Sequence, residues 1–165
     1  MPNTKAVVVI LASVLTGLPV LVTSAEDVRR APSFSIPDMR GGNTISLDQF
    51  QGKVVYVDFW ASWCGPCLQS FPYMEELHQK YSDKGLVIIA INMDQVPQDA
   101  HVFLMDHPVT FLVGQNPAGD IAEQYGVMAM PTSYIVDRAG VIKEVNYGFK
   151  SRDKEEIAAV ILDLL

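Results

Sequence analysis

Cysteine is almost missing from this chain. Two of 165 residues are cysteines, Cys64 and Cys67, so no other intramolecular disulfide can form. Histidine is nearly as scarce: His78, His101 and His107 make no recognisable second half of a tetrahedral zinc site, and no metal site is expected. Covalent haem attachment is excluded because Leu68 stands where the motif would need a histidine. No Lys/Arg-rich run occurs, and the net charge is −7, which excludes nucleic acid or an anionic membrane surface as the expected partner. Residues 26–165 carry no internal repeat and no low-complexity segment. At 49% hydrophobic residues, the chain has the material for one well-buried domain and is too short to suggest two.

The single long uncharged run is at the start. After Lys5, residues 6–22 carry no charge, and Thr23-Ser24-Ala25 gives a small-residue end before Glu26-Asp27. A basic start, an apolar middle and a small-residue exit form a secretory signal pattern over residues 1–25. An uncleaved anchor is the competing reading, since about 17 apolar residues is the short end of a membrane span. Gly17 and Pro19 favour cleavage. No cysteine follows the run to take a lipid. Both readings place the domain in the periplasm or at the envelope exterior, either secreted across the inner membrane or anchored to it. Disulfides persist there.

Residues 26–33 read as a polar lead-in. Phe34–Ile36 and Thr44–Leu47 alternate on either side of Arg40-Gly41-Gly42-Asn43, which predicts a hairpin or edge strands, with a turn over 48–52. Residues 53–60 are a nearly unbroken β-branched and aromatic run, the pattern of a strand buried on both faces. Leu68, Phe71, Met74, Leu77, His78 and Tyr81 follow at helical spacing, and this helix ends before Gly85. Further strands are expected at 86–91, 110–113, 132–136 and 141–147, and helices at 98–107 and 116–125. A last helix is expected over 152–165, capped by Ser151. Strands alternating with helices, then a terminal hairpin and helix, imply an α/β fold with a mixed sheet.

The chemistry lies in Trp63-Cys64-Gly65-Pro66-Cys67. So short a disulfide loop removes little unfolded-state entropy, so it makes a poor staple and a good exchange pair. The pair opens the predicted helix, where unpaired N–H groups and the helix dipole favour a thiolate. Cys64 is therefore the expected nucleophile, and Cys67, one turn on, resolves the mixed disulfide. Pro66 suits the first helical turn, and Gly65 lets the backbone pass close to a docked partner.

These residues resemble a known family. Val57-Asp-Phe-Trp-Ala-Ser-Trp-Cys-Gly-Pro-Cys67 is similar to the active-site strand and motif of the thioredoxin superfamily. Pro72 matches its helix-kinking proline, and Gly126-Val-Met-Ala-Met-Pro-Thr132 its cis-proline loop. The leading hairpin and Tyr134–Gly140 look more like the TlpA-like envelope thiol–disulfide oxidoreductases. The likeness covers residues 34–165 and implies a thioredoxin-like fold: a mixed central sheet flanked by helices, with an N-terminal β-hairpin extension.

The resemblance implies a cis Met130–Pro131 peptide beside the disulfide, with the Met130 backbone offered to substrate. Trp63 is expected at the docking surface and Trp60 in the core, while Met128 and Met130 divide between core filler and an apolar rim. Asp58 sits in an apolar run where burial raises its pKa, and it is the candidate proton acceptor for Cys67. Many TlpA-like proteins place a Glu three residues after the second cysteine; this chain has Ser70.

The Gly-Pro pair between the cysteines is that of the reductant thioredoxin, so the resemblance implies reduction of protein disulfides. It also implies a membrane thiol-transfer protein as electron donor, apocytochrome c among the candidate clients, and no cofactor beyond the redox-active disulfide. Two alternatives stay open. A peroxiredoxin-type peroxidase would want Pro-x-x-x-Thr-x-x-Cys, whereas Trp60-Ala-Ser-Trp63 precedes Cys64. A non-catalytic chaperone or binding domain would use the same groove.

Overall fold

The computed structural model describes residues 28–165, so the signal-like segment lies outside the described residues. The strands are β1 (Ser35–Pro37), β2 (Thr44–Ser46), β3 (Val54–Trp60), β4 (Leu86–Asn92), β5 (Leu112–Gln115), β6 (Thr132–Val136) and β7 (Ile142–Tyr147). The helices are α1 (Gly65–Tyr81), α2 (Pro97–Asp106), α3 (Asp120–Tyr125) and α4 (Lys154–Leu164). Strands β1 and β2 pair antiparallel as a separate hairpin; the main sheet runs β5-β4-β3-β6-β7. Strand β3 is parallel to β4 and antiparallel to β6, which makes the sheet mixed. This is the thioredoxin-like architecture with its N-terminal hairpin.

The β-branched run forms the central strand because all seven of its residues can be buried. Side chains alternate across it. Tyr56 and Trp60 face a core with Phe71 and Met74 of α1, Phe103 of α2, and Ile157 and Ile161 of α4. Val55, Val57 and Phe59 face a second core with Phe34, Ile36 and Ile45 of the hairpin region, Tyr125 of α3 and Tyr134 of β6. Each such large side chain contributes roughly 1.5–3 kcal/mol by leaving water.

The hairpin also closes an edge of the sheet. Asp38 bridges to Gly114, and Met39 N donates to Val113 O at 2.9 Å, so β5 is not left as an open template. Gly114 is required there: a Cβ would stand 2.7 Å from Ile36 Cγ1. At the opposite edge the lead-in joins the sheet. Arg30 bridges to Val141, and Ile142 N donates to Arg29 O at 2.9 Å.

Three expectations need correction. The strand predicted over 110–113 is Leu112–Gln115, because Glu75 takes Thr110 out of the ladder. Its carboxylate accepts from Thr110 N at 2.7 Å and Oγ1 at 2.6 Å. The helix predicted from residue 116 starts only at Asp120. Gly119 before it is left-handed (φ 77°), and Asn116 Oδ1 accepts from Ile121 N at 3.2 Å. The last helix starts at Lys154 rather than Arg152, and Ser151 is not its cap. Residues 151–153 form a 3-10 turn fastened by Lys150 N donating to Asp153 Oδ2 at 2.8 Å.

Candidate active site

The site is made where β3 stops. Its last residue, Trp60, runs into a tight turn in which Cys64 N donates to Ala61 O at 3.1 Å. Cys64 is the N-cap of α1, and Pro66 sits in the first turn, where its missing N–H has no intrahelical use. Cys67 N donates to Cys64 O at 3.1 Å. The two cysteines are joined, with Cα atoms 5.3 Å apart. Both are buried, Cys67 completely. When the bond opens, a thiolate on Cys64 would lie against the positive end of α1.

One residue escaped sequence reasoning. Asp94, buried just past β4, accepts from Ser62 N at 3.0 Å and Ser62 Oγ at 3.1 Å. Asn92 Nδ2 donates to it at 2.8 Å, and Met93 N donates to Trp60 O at 2.8 Å. These contacts fasten the turn two residues before Cys64. An aspartate after a strand usually reads as a loop residue, and only the register of β4 against β3 reveals the clamp.

The loop before β6 lies at the same end of the sheet, since Phe59 pairs with Thr132. Met130–Pro131 is a cis peptide, and Pro131 is buried. Thr132 Oγ1 donates to Ala129 O and Gly148 N to Pro131 O, both at 2.7 Å, which fixes the loop on each side of Met130. Met130 packs against the core that contains Cys64 and Cys67. Around this end the apolar surface is open: Trp63 is 72% exposed, Met128 90% and Tyr147 71%, with Leu68 also exposed. Met128 is therefore rim and not core, and Trp60 is fully buried. Gly65 and Pro66 are exposed beside Trp63.

Asp58 is completely buried in the middle of β3, on the same face as Tyr56 and Trp60, the face that α1 and Cys67 cover. Neither carboxyl oxygen has a hydrogen-bond partner. Burial pushes this carboxyl well above the usual aspartate range. It also pushes the Tyr56 hydroxyl up, with Asp58 adding to the effect. Ser70, at the place of the expected glutamate, donates to Cys67 O at 3.1 Å and supplies no acid. The structure thus sets Asp58 beneath the α1 side of the site with no competing carboxylate at that position. Among the described residues no group of three or more His, Cys, Asp or Glu side chains is placed to hold a metal ion.

Comparison with known proteins agrees with this geometry. The family model described as Redoxin matches residues 27–161. The thiol-disulfide oxidoreductase ResA of Bacillus cereus (strain ATCC 10987) is 39% identical over 118 residues, which are 71% of this chain and 68% of that protein. The thioredoxin-like protein YneN of Bacillus subtilis is 34% identical over 134 residues, 79% of this chain and 77% of the relative. A crystal structure from Chlorobium tepidum, of a protein assigned as the thiol:disulfide interchange protein DsbE, superposes with a TM-score of 0.80 at 42% identity. It covers 84% of this chain and 97% of its own.

Proposed function

The chain belongs to the Redoxin family of the thioredoxin superfamily and is a thiol–disulfide oxidoreductase; from that premise we propose that it reduces protein disulfides in the cell envelope. The carrying observation is the Cys64–Cys67 disulfide at the start of α1, set among exposed Trp63, Met128 and Tyr147. An apolar rim suits a partly unfolded protein segment, and the Met130 backbone at the cis-proline loop suits strand-like pairing with it.

In the reduced protein the Cys64 thiolate attacks one sulfur of the client disulfide. The other client sulfur leaves as a thiolate and takes a proton from water, which gives a mixed disulfide on Cys64. The Cys67 thiol then passes its proton to the Asp58 carboxylate, and its sulfur attacks Cys64 Sγ. The mixed disulfide breaks, the second client sulfur leaves and is protonated by solvent, and Cys64–Cys67 is closed. Two electrons have passed to the client. Recharging reverses the exchange: a dithiol donor attacks Cys64, and Cys67 leaves and recovers the proton from neutral Asp58. The buried, unpartnered carboxyl supports this role, since a raised proton affinity lets it hold the proton between the two half-reactions.

The Gly65-Pro66 pair supports the reducing direction. The signal-like pattern of residues 1–25 supports an envelope location, in the periplasm or anchored to the membrane. A membrane thiol-transfer protein would then supply electrons, and apocytochrome c is a fitting client class. Trapping tests the reading. Cys67→Ser should leave Cys64 joined to its client as a stable mixed disulfide that a second thiol releases. Recovery of no such adduct from the envelope fraction would overturn it.

A further inference from the structure

The isolation of Asp58 extends across the sheet. Its neighbour on β4 is Ala90, which offers no donor; its neighbour on β6 is Ser133, whose own neighbour on β7 is Asn146. Residues in register share a face, so Asp58, Ser133 and Asn146 form one polar row beneath α1. Ser133 is buried, and its hydroxyl also interacts with Tyr56. Asn146 Nδ2 is buried without a partner, as are both oxygens of Asp58. The row therefore has acceptors at one end, an unused donor at the other and a hydroxyl between them.

Strands spaced about 4.8 Å apart put Asp58 and Asn146 about 10 Å from each other, too far for direct contact. Buried polar groups left over in this way are ordinarily bridged by an ordered water that makes about three hydrogen bonds. We propose that Ser133 and Asn146 are positioning residues that hold the Asp58 carboxylate, through one ordered water, for its proton exchange with Cys67. This rests on the role given to Asp58 above. The other titratable groups against this core are Tyr56 on β3, Cys64, Cys67, Tyr73, His78 and Tyr81 from α1, His107 at the end of α2, Glu144 from β7 and Lys154 at the start of α4. Of these only Tyr56 touches the row, through the Ser133 hydroxyl. A donor that favours the charged carboxylate lowers its proton affinity, so removing one raises it.

The measurement is the titration of Asp58 by carboxyl-carbon NMR in the oxidised protein, alongside the pH profile of client reduction in a single turnover. Ser133→Ala and Asn146→Leu should each move the Asp58 midpoint upward, by up to about one pH unit or a tenfold change in proton affinity. The pH profile should move with it. Ser133→Ala removes a single oxygen, so it keeps the test open if Asn146→Leu does not fold. Both midpoints unmoved, with Asp58→Asn still altering the pH profile, would overturn the row and spare the role of Asp58. A profile unchanged in Asp58→Asn would overturn that role, and the row with it.

Discussion

The two faces of β3 are built to opposite rules. On the hairpin side, Val55, Val57 and Phe59 pack against Tyr125 and Tyr134, and both tyrosine hydroxyls are used: Tyr125 donates to Pro32 O and Tyr134 to Tyr125 O, each at 2.8 Å. On the α1 side, Asp58, Trp60 Nε1 and Asn146 Nδ2 are buried with no protein group as partner. Unsatisfied buried groups cost stability, and a chain that satisfies one face so fully has no general difficulty in doing so. The face that covers Cys67 keeps the polar groups that packing alone would remove. On the role proposed for Asp58, the difference separates a face that only holds the fold from a face that also serves the exchange.

Substitutions on the two faces should therefore fail in different ways. The largest effect is expected from Cys64→Ser on the chemical side. Client reduction should fall to background, about 10³-fold or more, while the melting temperature of the reduced protein stays close to that of the parent. A residual rate above a few per cent would mean that Cys67 can attack unaided.

Phe59→Ala is the opposite case. It empties an aromatic site bounded by Tyr125 at 5.3 Å and Tyr134 at 5.9 Å between ring centroids. A loss of about 3–5 kcal/mol is expected in urea unfolding, with the rate per folded molecule retained. A matching loss of specific activity would show that the two faces are coupled.

Asp58→Asn sharpens the contrast, because it should slow the step and stabilise the fold together. Burial raises the folded-state pKa above that of the unfolded chain. Between those two values the folded state binds more protons than the unfolded one, so stability falls as pH rises through that window, by up to about 1.4 kcal/mol per pH unit. Asn146, Ser133 and the apolar walls do not titrate. The asparagine variant should lose this slope and be the more stable protein at the alkaline side of the window, with resolution by Cys67 slowed about 100-fold. Parallel stability–pH curves for the two proteins would contradict it.

Sequence reasoning reached these two faces unequally. The nearly unbroken β-branched and aromatic run of residues 53–60 and the helical spacing after Cys67 specify β3, α1 and the disulfide turn, since local pattern and burial agree there. Asp58 was legible as an acid out of place in an apolar run, whereas the cis-proline loop was legible only through the resemblance of residues 126–132 to the family's loop. Elements held by distant side chains were not legible. Thr110 leaves its predicted strand because Glu75 lies across from it, and the start of α3 waits for a left-handed Gly119. Asp94 and Asn146 acquire meaning only from register. A one-residue slip would place either on the other face, and no local propensity fixes that register.

Asp94 offers the next test in size. Its carboxylate holds Ser62 and Asn92, so Asp94→Ala should strand the half-buried Ser62 amide and cost about 1–3 kcal/mol, with attack by Cys64 slowed several-fold. Unchanged stability and rate would mean that the disulfide turn holds its shape without the clamp.

Tyr134→Phe should have the smallest effect and is the cleanest control. It removes one oxygen from the satisfied face, together with its bond to Tyr125 O, and leaves the ring against Phe59. About 1 kcal/mol of stability should be lost, with no movement of the pH profile of exchange. Ser133→Ala, one residue earlier on β6, also removes one oxygen, but from the other face, and there the pH profile should move. Adjacent residues of one strand, changed by one atom each, thus separate holding the fold from tuning the proton. A shifted profile in Tyr134→Phe would mean that the faces communicate through β6 and that their division of labour is incomplete.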